Sequence, residues 1–530
     1  MIKTFFKSNW ALLTLIFILL LGAYLRLHMI RNYMTFLGDE GRDVLVVEQM
    51  IVDHKFTLLG PTASVGGFFL GPIYYYFMLP FLWASRLDPV GPAIMVALFG
   101  IATIFLVYKT GKDFFDECSG LIAASIYAVS PLVIAYSRSS WNPNVVPFFA
   151  IALIYSLWKL VVKPGRFDGF LIGIILGIGL QLHYLFLFLC VLVGIWYLIN
   201  LKKISFFPLV GFTFFGFLIG FSPYIAFEVR HGFTNSRSII QFLMAGKDTG
   251  FVWGNFFRTV GDVIFRLFGR LIYRLPDETV WQNFPKWYIT ILVVTIKATI
   301  YIAVLFFILV CGYFVKQVRR FIEKIKIFSV FKGNNKSNIG SLLLVLWFIT
   351  TVFLFGLYRK AIYDYYFGIA FPLPFLMIGY ILSTLRKVRY GFIAMILFWM
   401  VLVVFNWGGR PFIYPPNNQL EQVKRIADVA LSKTDGKPFN FALITDGNSD
   451  QGYRYFFEIA GRAPVTIQPV EADPIRSSVT SQLIVICETI ECKPLGNSLW
   501  EIAGFGRADI VGEWSVPFVK IIKLVHYKGQ

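Results

Sequence analysis

The stretch Ala11-Leu12-Leu13-Thr14-Leu15-Ile16-Phe17-Ile18-Leu19-Leu20-Leu21-Gly22-Ala23-Tyr24-Leu25 decides the fold class. It carries no charge, and Lys3 and Lys7 precede it. A helix of about 20 apolar residues crosses a bilayer core about 30 Å thick. The run continues past Tyr24 to His28 without a small-residue cleavage site, so it reads as an uncleaved signal anchor that starts in the cytoplasm. Comparable runs recur at roughly 90–108, 119–136, 145–162, 168–183, 184–199, 206–227, 287–315, 340–357, 365–384 and 390–407, which makes about eleven spans. Composition agrees. The 530 residues are 57% hydrophobic and 15% charged, against roughly 25% charged in a soluble domain, and mean hydropathy is +0.67. A soluble enzyme, a disordered chain and a disulfide-framework secreted domain are excluded. The expected architecture is an all-α polytopic membrane protein over 1–407, followed by a small α/β domain over 408–530.

Charge divides the chain at the same place. Residues 408–530 hold 13 basic and 13 acidic side chains. The whole net charge of +19 therefore lies in the membrane part. Loop Lys and Arg that orient helices and meet anionic membrane lipid account for it, and nucleic acid is not an expected partner.

Sidedness turns on Phe68 to Ser85, a short apolar segment broken by Pro72 and Pro80. If it does not cross, Lys109/Lys112, Lys163/Arg166, Lys202/Lys203, the run from Lys316 to Lys336 and Arg386/Lys387/Arg389 all fall in the cytoplasm. If it crosses, every cluster falls outside, against the positive-inside rule. The segment is therefore a juxtamembrane or re-entrant helix on the outer face. Residues 31–89, the turn Ser137–Asn144, the loop 228–286 and the turn Tyr358–Asp364 then lie outside. So does the C-terminal part, which opens after Gly408-Gly409-Arg410-Pro411. There, 419–433 and 451–460 read as helices, and 439–445, 483–487 and 516–526 as strands. Cys487 and Cys492 stand close enough in Cys-Glu-Thr-Ile-Glu-Cys to pair in an oxidising compartment. Cys118, Cys190 and Cys311 read as packing residues.

Polar residues collect on the outer face. Gly38-Asp39-Glu40-Gly41-Arg42-Asp43 opens a helix whose Val44, Val47 and Ile51 recur at helical spacing. One reading makes Asp39 its N-cap, with Glu40 and Asp43 stabilising the first turn. The other makes the acidic pair a reacting group. On the same face lie Gly71-Pro72-Ile73-Tyr74-Tyr75-Tyr76, Ser137-Arg138-Ser139-Ser140-Trp141-Asn142-Pro143-Asn144, Gln181-Leu182-His183-Tyr184, Tyr358-Arg359-Lys360 and Tyr363-Asp364-Tyr365-Tyr366. Polar groups near lipid are costly and tend to face a cavity or a partner.

Together these residues resemble the GT-C superfamily of polytopic glycosyltransferases. The similarity is strongest to its protein O-mannosyltransferase and lipid A aminoarabinose transferase branch. It covers roughly residues 10–400 in order: the acidic pair after the first helix, Gly-Pro-x-Tyr-Tyr, Arg86-Leu87-Asp88-Pro89, Ser130-Pro131 before Tyr136-Ser137-Arg138, and an aromatic-basic turn before the Pro-rich Phe371-Pro372-Leu373-Pro374. Phe69-Leu70-Gly71-Pro72 lacks the Lys that the aminoarabinose-transferase branch often carries there.

The resemblance implies transfer of a sugar from a polyprenyl-phosphate-linked donor to a protein, lipid or cell-wall glycan acceptor, outside the cell membrane. It assigns Asp39, with Glu40 beside it, as base. Arg138, Arg359, Lys360 and Tyr363 are candidates for the donor phosphate, and Tyr74, Tyr75, His183 and Tyr365 for the substrate cavity. Direct attack would invert the anomeric centre. Some relatives use a divalent cation. No dedicated zinc spacing is present, and His183 reads either as a polar bundle residue or as a ligand. Arg266, Arg270 and Arg274 fall at i, i+4, i+8, as an interfacial helix on anionic lipid or as a gate for donor entry. The rival functions are a transporter or flippase of lipid-linked sugars, whose polar groups would lie near the midplane, and a ligase using polyprenyl diphosphate-linked glycans.

Overall fold

The protein was analysed as a computed structural model, and the structure describes residues 2–63, 67–201, 206–244, 253–274, 285, 287, 336–489 and 491–527. The expected span 287–315, the basic run 316–336, Lys202/Lys203 and Cys311 lie wholly or almost wholly outside the described residues.

The apolar runs are helices: α1 (Ile2–Leu27), α4 (Val90–Phe114), α5 (Glu117–Val129), α6 (Val146–Val162), α7 (Asp168–Leu182), α8 (Leu187–Ile199), α9 (Phe206–Gly220), α11 (Lys336–Gly356), α12 (Pro372–Leu385) and α13 (Gly391–Trp407). Between them in the chain lie α2 (Gly38–Val52), α3 (Ile73–Ala84) and α10 (Trp253–Phe265). Among the described residues, four helices are long and apolar enough to cross a membrane, or six if each of two bent pairs counts as one span. The bends have local causes. Pro223 and Pro372 each sit in the first turn of a following helix, where proline is tolerated but cannot continue the preceding one. The pairs turn by 70° and 57° there.

Breaks inside an apolar bundle free carbonyls that need donors. Buried amides supply them. Asn142 Nδ2 donates to Leu182 O at 2.6 Å, Gln181 Nε2 to Gly220 O at 2.6 Å, and Asn406 Nδ2 to Ile272 O at 2.6 Å. Trp347 Nε1 donates to Ile369 O at 3.1 Å. Helix α3 has 12 residues, about 18 Å at 1.5 Å per residue. It packs against α2 and α4.

The C-terminal part holds α14 (Gln419–Ser432), α15 (Gln451–Ile459) and a four-stranded sheet in the order β1-β2-β4-β3, with β1 (Asn440–Ile444), β2 (Gln482–Cys487), β3 (Ala508–Val516) and β4 (Val519–His526). β1 and β2 are parallel, in register Asn440 to Leu483, and the other pairs are antiparallel. β2 is buried along its whole length, as a central strand covered on both faces must be. Cys487 and Cys492 are joined as a disulfide.

This sheet unit does not hang from a linker. Its α14 and α15 side chains belong to the same continuous apolar cluster as the helix bundle. Phe36 packs on Tyr455 and Phe456. Tyr455 donates to Leu87 O, and Arg31 bridges Asp88 and Glu421. Asn32 and Asn418 exchange two hydrogen bonds, of 2.9 and 3.0 Å.

Candidate active site at the start of the first outer helix

Leu37, the N-cap residue just before α2, is extended. Asp39 is not its cap. Glu40 Oε2 accepts the Leu37 N–H at 3.0 Å, the reciprocal bond of a capping box. The capping reading of the acidic pair therefore applies to Glu40 alone. The Asp39 side chain stays 53% exposed and accepts from Arg42 Nη1 at 2.8 Å. Arg42 also donates through Nη2 to the fully buried Asp43 at 2.7 Å. Tyr75 OH donates to Asp43 at 3.2 Å. One guanidinium thus sits between two carboxylates and fixes the exposed one.

Burial drives the local titrations. Glu40 is pushed up to about 7 by desolvation, against its own backbone hydrogen bonds and with help from Asp39 and Asp43. Asp43 is pushed up to about 6 by desolvation, which Arg42 opposes. Burial works against the Arg42 charge, but Asp43, Tyr75 and Asp39 outweigh it and hold Arg42 protonated.

Asp39 and Glu40 open into a cavity of about 560 Å³, walled by Tyr136, Trp141, Asn144 and the loop Gly447–Ser449. A second cavity, of about 30 Å³, lies against Asp39, Arg42, Trp141, His183, Tyr184 and Tyr365. Trp141 packs on Tyr365 with centroids 4.4 Å apart, and Tyr363 stacks on Tyr365 at 5.8 Å. His183 is buried, accepts the Leu185 N–H through Nδ1 at 3.2 Å and stacks on Tyr184. The structure therefore brings Asp39, Glu40, His183 and Tyr365 to one place. Tyr74 and Tyr75 stand behind it, the former hydrogen-bonded to Ser140 at 2.9 Å.

Arg138 is elsewhere. It is 2% exposed, and its Nη groups donate to Leu25 O, Arg26 O and His28 O at 2.8–3.0 Å. It closes the C-terminal end of α1, whose last carbonyls lack helical partners. The expected phosphate role is thus corrected: the terminal guanidinium nitrogens are engaged by backbone. Arg359 and Lys360 are exposed and line neither cavity. The charged cluster behind the cavity wall is Arg266, Arg270 and Asp364, with Asp262 also paired to Arg266 at 3.1 Å. Arg270 pairs with Asp364 at 2.7 Å, and Arg266 donates to Ile362 O at 2.6 Å and reaches Asp364 at 3.4 Å. Tyr136, on the wall, lies within electrostatic reach of all three. Among the described residues no three His, Cys, Asp or Glu side chains converge as a metal site. With Arg42 between Asp39 and Asp43, these residues do not fit a divalent cation.

Residues 87–227 match the family model described as dolichyl-phosphate-mannose-protein mannosyltransferase. The structure is similar to ArnT from Cupriavidus metallidurans bound to undecaprenyl phosphate, with TM-score 0.58, 10% identity, and coverage of 97% of this chain and 98% of that one. It is likewise similar to ArnT in the apo state, with TM-score 0.59, 10% identity and 98% of each chain covered. The chain has the fold of a GT-C membrane glycosyltransferase. The oligosaccharyltransferase AglB from Archaeoglobus fulgidus gives TM-score 0.48 at 14% identity, over 91% of this chain and 70% of that one. No curated protein matches the chain in sequence.

Within this GT-C frame, three features escaped the sequence. Arg42 was legible in principle, because it falls three residues after Asp39 on a helix. The loop Gly447–Ser449 follows β1 of a parallel pair, the position where open α/β sheets commonly bind ligands. The pairing of Arg270 with Asp364, 94 positions apart, left no local signal.

Proposed function

We propose that this chain transfers a sugar from a polyprenyl-phosphate carrier to an acceptor hydroxyl at the extracytoplasmic face of the cell membrane. The observation that carries the reading is an exposed carboxylate, Asp39, clamped by Arg42 at the edge of a cavity large enough for a sugar. The acceptor oxygen attacks the anomeric carbon, its proton passes to Asp39, and the carbon–oxygen bond to phosphate breaks. The electron pair leaves with the polyprenyl phosphate, so no acid is needed and the centre inverts. Arg266 and Arg270 share Asp364 behind Tyr136, and Arg266 also pairs with Asp262, so two guanidinium groups are balanced there by two carboxylates. The two guanidinium groups are the cations suited to the departing phosphate. Tyr363 and Tyr365 form the aromatic edge between this cluster and Asp39. The similar ArnT structure is bound to undecaprenyl phosphate.

The positive-inside tally supports an outward-facing site and an extracytoplasmic unit over 408–530. The test supplies purified full-length protein with either a polyprenyl-phosphate sugar or the matching nucleotide sugar, and no other enzyme. Transfer from the lipid-linked donor alone is expected. Transfer from the nucleotide sugar alone overturns both the donor and the orientation.

A further inference from the structure

The C-terminal unit touches the reacting end of α2 at an unusually close approach. A Cβ on Gly38 would lie 1.9 Å from Ser449 Oγ, and one on Gly41 would lie 2.3 Å from the Gly452 backbone nitrogen. Neither position has room for a side chain, so the backbones meet directly. Gly38 N–H donates to Asn448 Oδ1 at 2.9 Å. Asn448 is itself held from the other side, since its Nδ2 donates to Glu488 at 3.1 and 3.2 Å. The same carboxylate accepts from Thr445 at 2.7 Å and Tyr453 at 2.8 Å. Glu488 follows the last residue of β2, so the loop is anchored to the sheet rather than merely laid on the helix.

The electrostatics of the cavity give the second half of the argument. Its lining includes Asp39 and Glu40 but neither Lys nor Arg. Arg42, the cation beside Asp39, is already held by Asp39 and Asp43, so a phosphorylated acceptor would find no lining cation to pair with, and burying such charge unpaired is costly. The rest of the lining is neutral: hydroxyl- and amide-bearing side chains alternate with aliphatic Leu37, Leu132 and Ala135, and Trp141 and Tyr136 add flat faces. That combination suits a pyranose ring, with hydroxyls for the polar wall and C–H faces for the aromatics.

We infer that the Gly447–Ser449 loop is the acceptor-side wall of the catalytic cavity, that Asn448 is a positioning residue for Asp39 through the Gly38 backbone, and that the acceptor admitted there is an uncharged sugar. This rests on the transferase reading above, with the donor phosphate on the opposite, Tyr136 side.

The experiment uses the full-length protein with a panel of polyprenyl-phosphate-linked hexoses and pentoses. The acceptors are an octyl mannoside, its 6-phosphate and a Ser/Thr peptide. The neutral glycoside is expected to accept at least about tenfold better than the phosphate, a difference equivalent to about 1.4 kcal/mol. Ser449→Lys is expected to raise KM for the glycoside, to narrow the phosphate disadvantage, and to leave donor KM unchanged. Asn448→Ala is expected to lower kcat by up to about 10²-fold, the cost of a reacting group misplaced by about 1 Å, with donor KM unchanged. The exchange Asn448→Asp with Glu488→Gln restores a donor–acceptor pair and is expected to recover kcat. Indifference of acceptor KM and preference to Ser449→Lys overturns the wall. A peptide or phosphate preferred over the glycoside overturns the acceptor class. Loss of thermal stability in Asn448→Ala without a kcat effect in the folded fraction overturns the positioning role. No turnover of any lipid-linked donor with any acceptor, or with water, overturns the transferase reading and this inference with it.

Discussion

Two polar stretches on the same side of the bundle, Gly38–Asp43 and Ser137–Asn144, look equally functional in sequence and do different work. The first leaves a carboxylate half exposed at a cavity. The second folds most of its polar side chains inward, and Arg138, Ser140 and Asn142 are all buried. Arg138 closes α1, Asn142 holds a break after α7, and Ser140 meets Tyr74. In an apolar bundle every break frees backbone carbonyls, and the nearest donors are recruited to them. A cation beside a suspected site therefore counts toward chemistry only after the backbone has taken its share. By that accounting Asp39 remains available and Arg138 does not.

The largest expected effect tests the first stretch. Asp39→Asn keeps the shape and removes the base, and transfer should fall about 10²–10⁴-fold with the thermal midpoint nearly unchanged. A variant that folds and transfers at the wild-type rate would dissolve the contrast. Next comes the second stretch. Arg138→Gln strands carbonyls at the end of α1 and should destabilise the protein by roughly 2–4 kcal/mol, read as a lower midpoint in detergent. Donor affinity in the folded fraction should not change. A stable variant with weakened donor binding would return Arg138 to the phosphate.

The comparison sharpens at Arg270. If the cationic side of the site lies there, Arg270→Gln should weaken donor binding by about 10- to 100-fold, the worth of a charge-assisted bond of roughly 1.5–3 kcal/mol. Titration calorimetry with polyprenyl phosphate would check it. The smallest effect concerns Glu40. Its ordinary value is 4.5, and burial raises it to about 7. The folded state therefore holds the proton more tightly than the unfolded one. That contribution is fully present below about 4.5 and is lost as pH rises through about 7. Glu40→Gln should flatten this part of the stability profile, and an unchanged slope between those values would place the titration elsewhere.

How much was legible follows the same divide. The apolar runs predicted the helices because helix length and lipid thickness are coupled, and the short, proline-broken 68–85 segment contains α3. In the C-terminal unit, β1, β2, α14 and α15 follow from periodicity. β3 was missed except at its end. Its residues are mostly exposed or half-buried, so it has no buried apolar stripe to announce it, and Gly512 marks an irregularity in its pairing. Asp39 stood out because an acidic pair after an apolar helix is rare. The partners that decide the fate of Arg138 lie more than 100 positions away, and no local pattern encodes them.

The contact between Gly38 and Asn448 also has a meaning in time. Its two ends are 410 positions apart in the chain. A ribosome working at about 5–20 residues per second needs roughly 20–80 s to make the intervening length. Throughout that interval the nascent protein carries the Asp39 helix with one face uncovered and its leading amide without this partner. The later-made strand-and-helix unit closes it. Turnover is therefore expected to begin only after residue 448 has been made and its unit has folded, and a chain stopped between residues 408 and 447 would hold every described apolar helix yet lack a finished site.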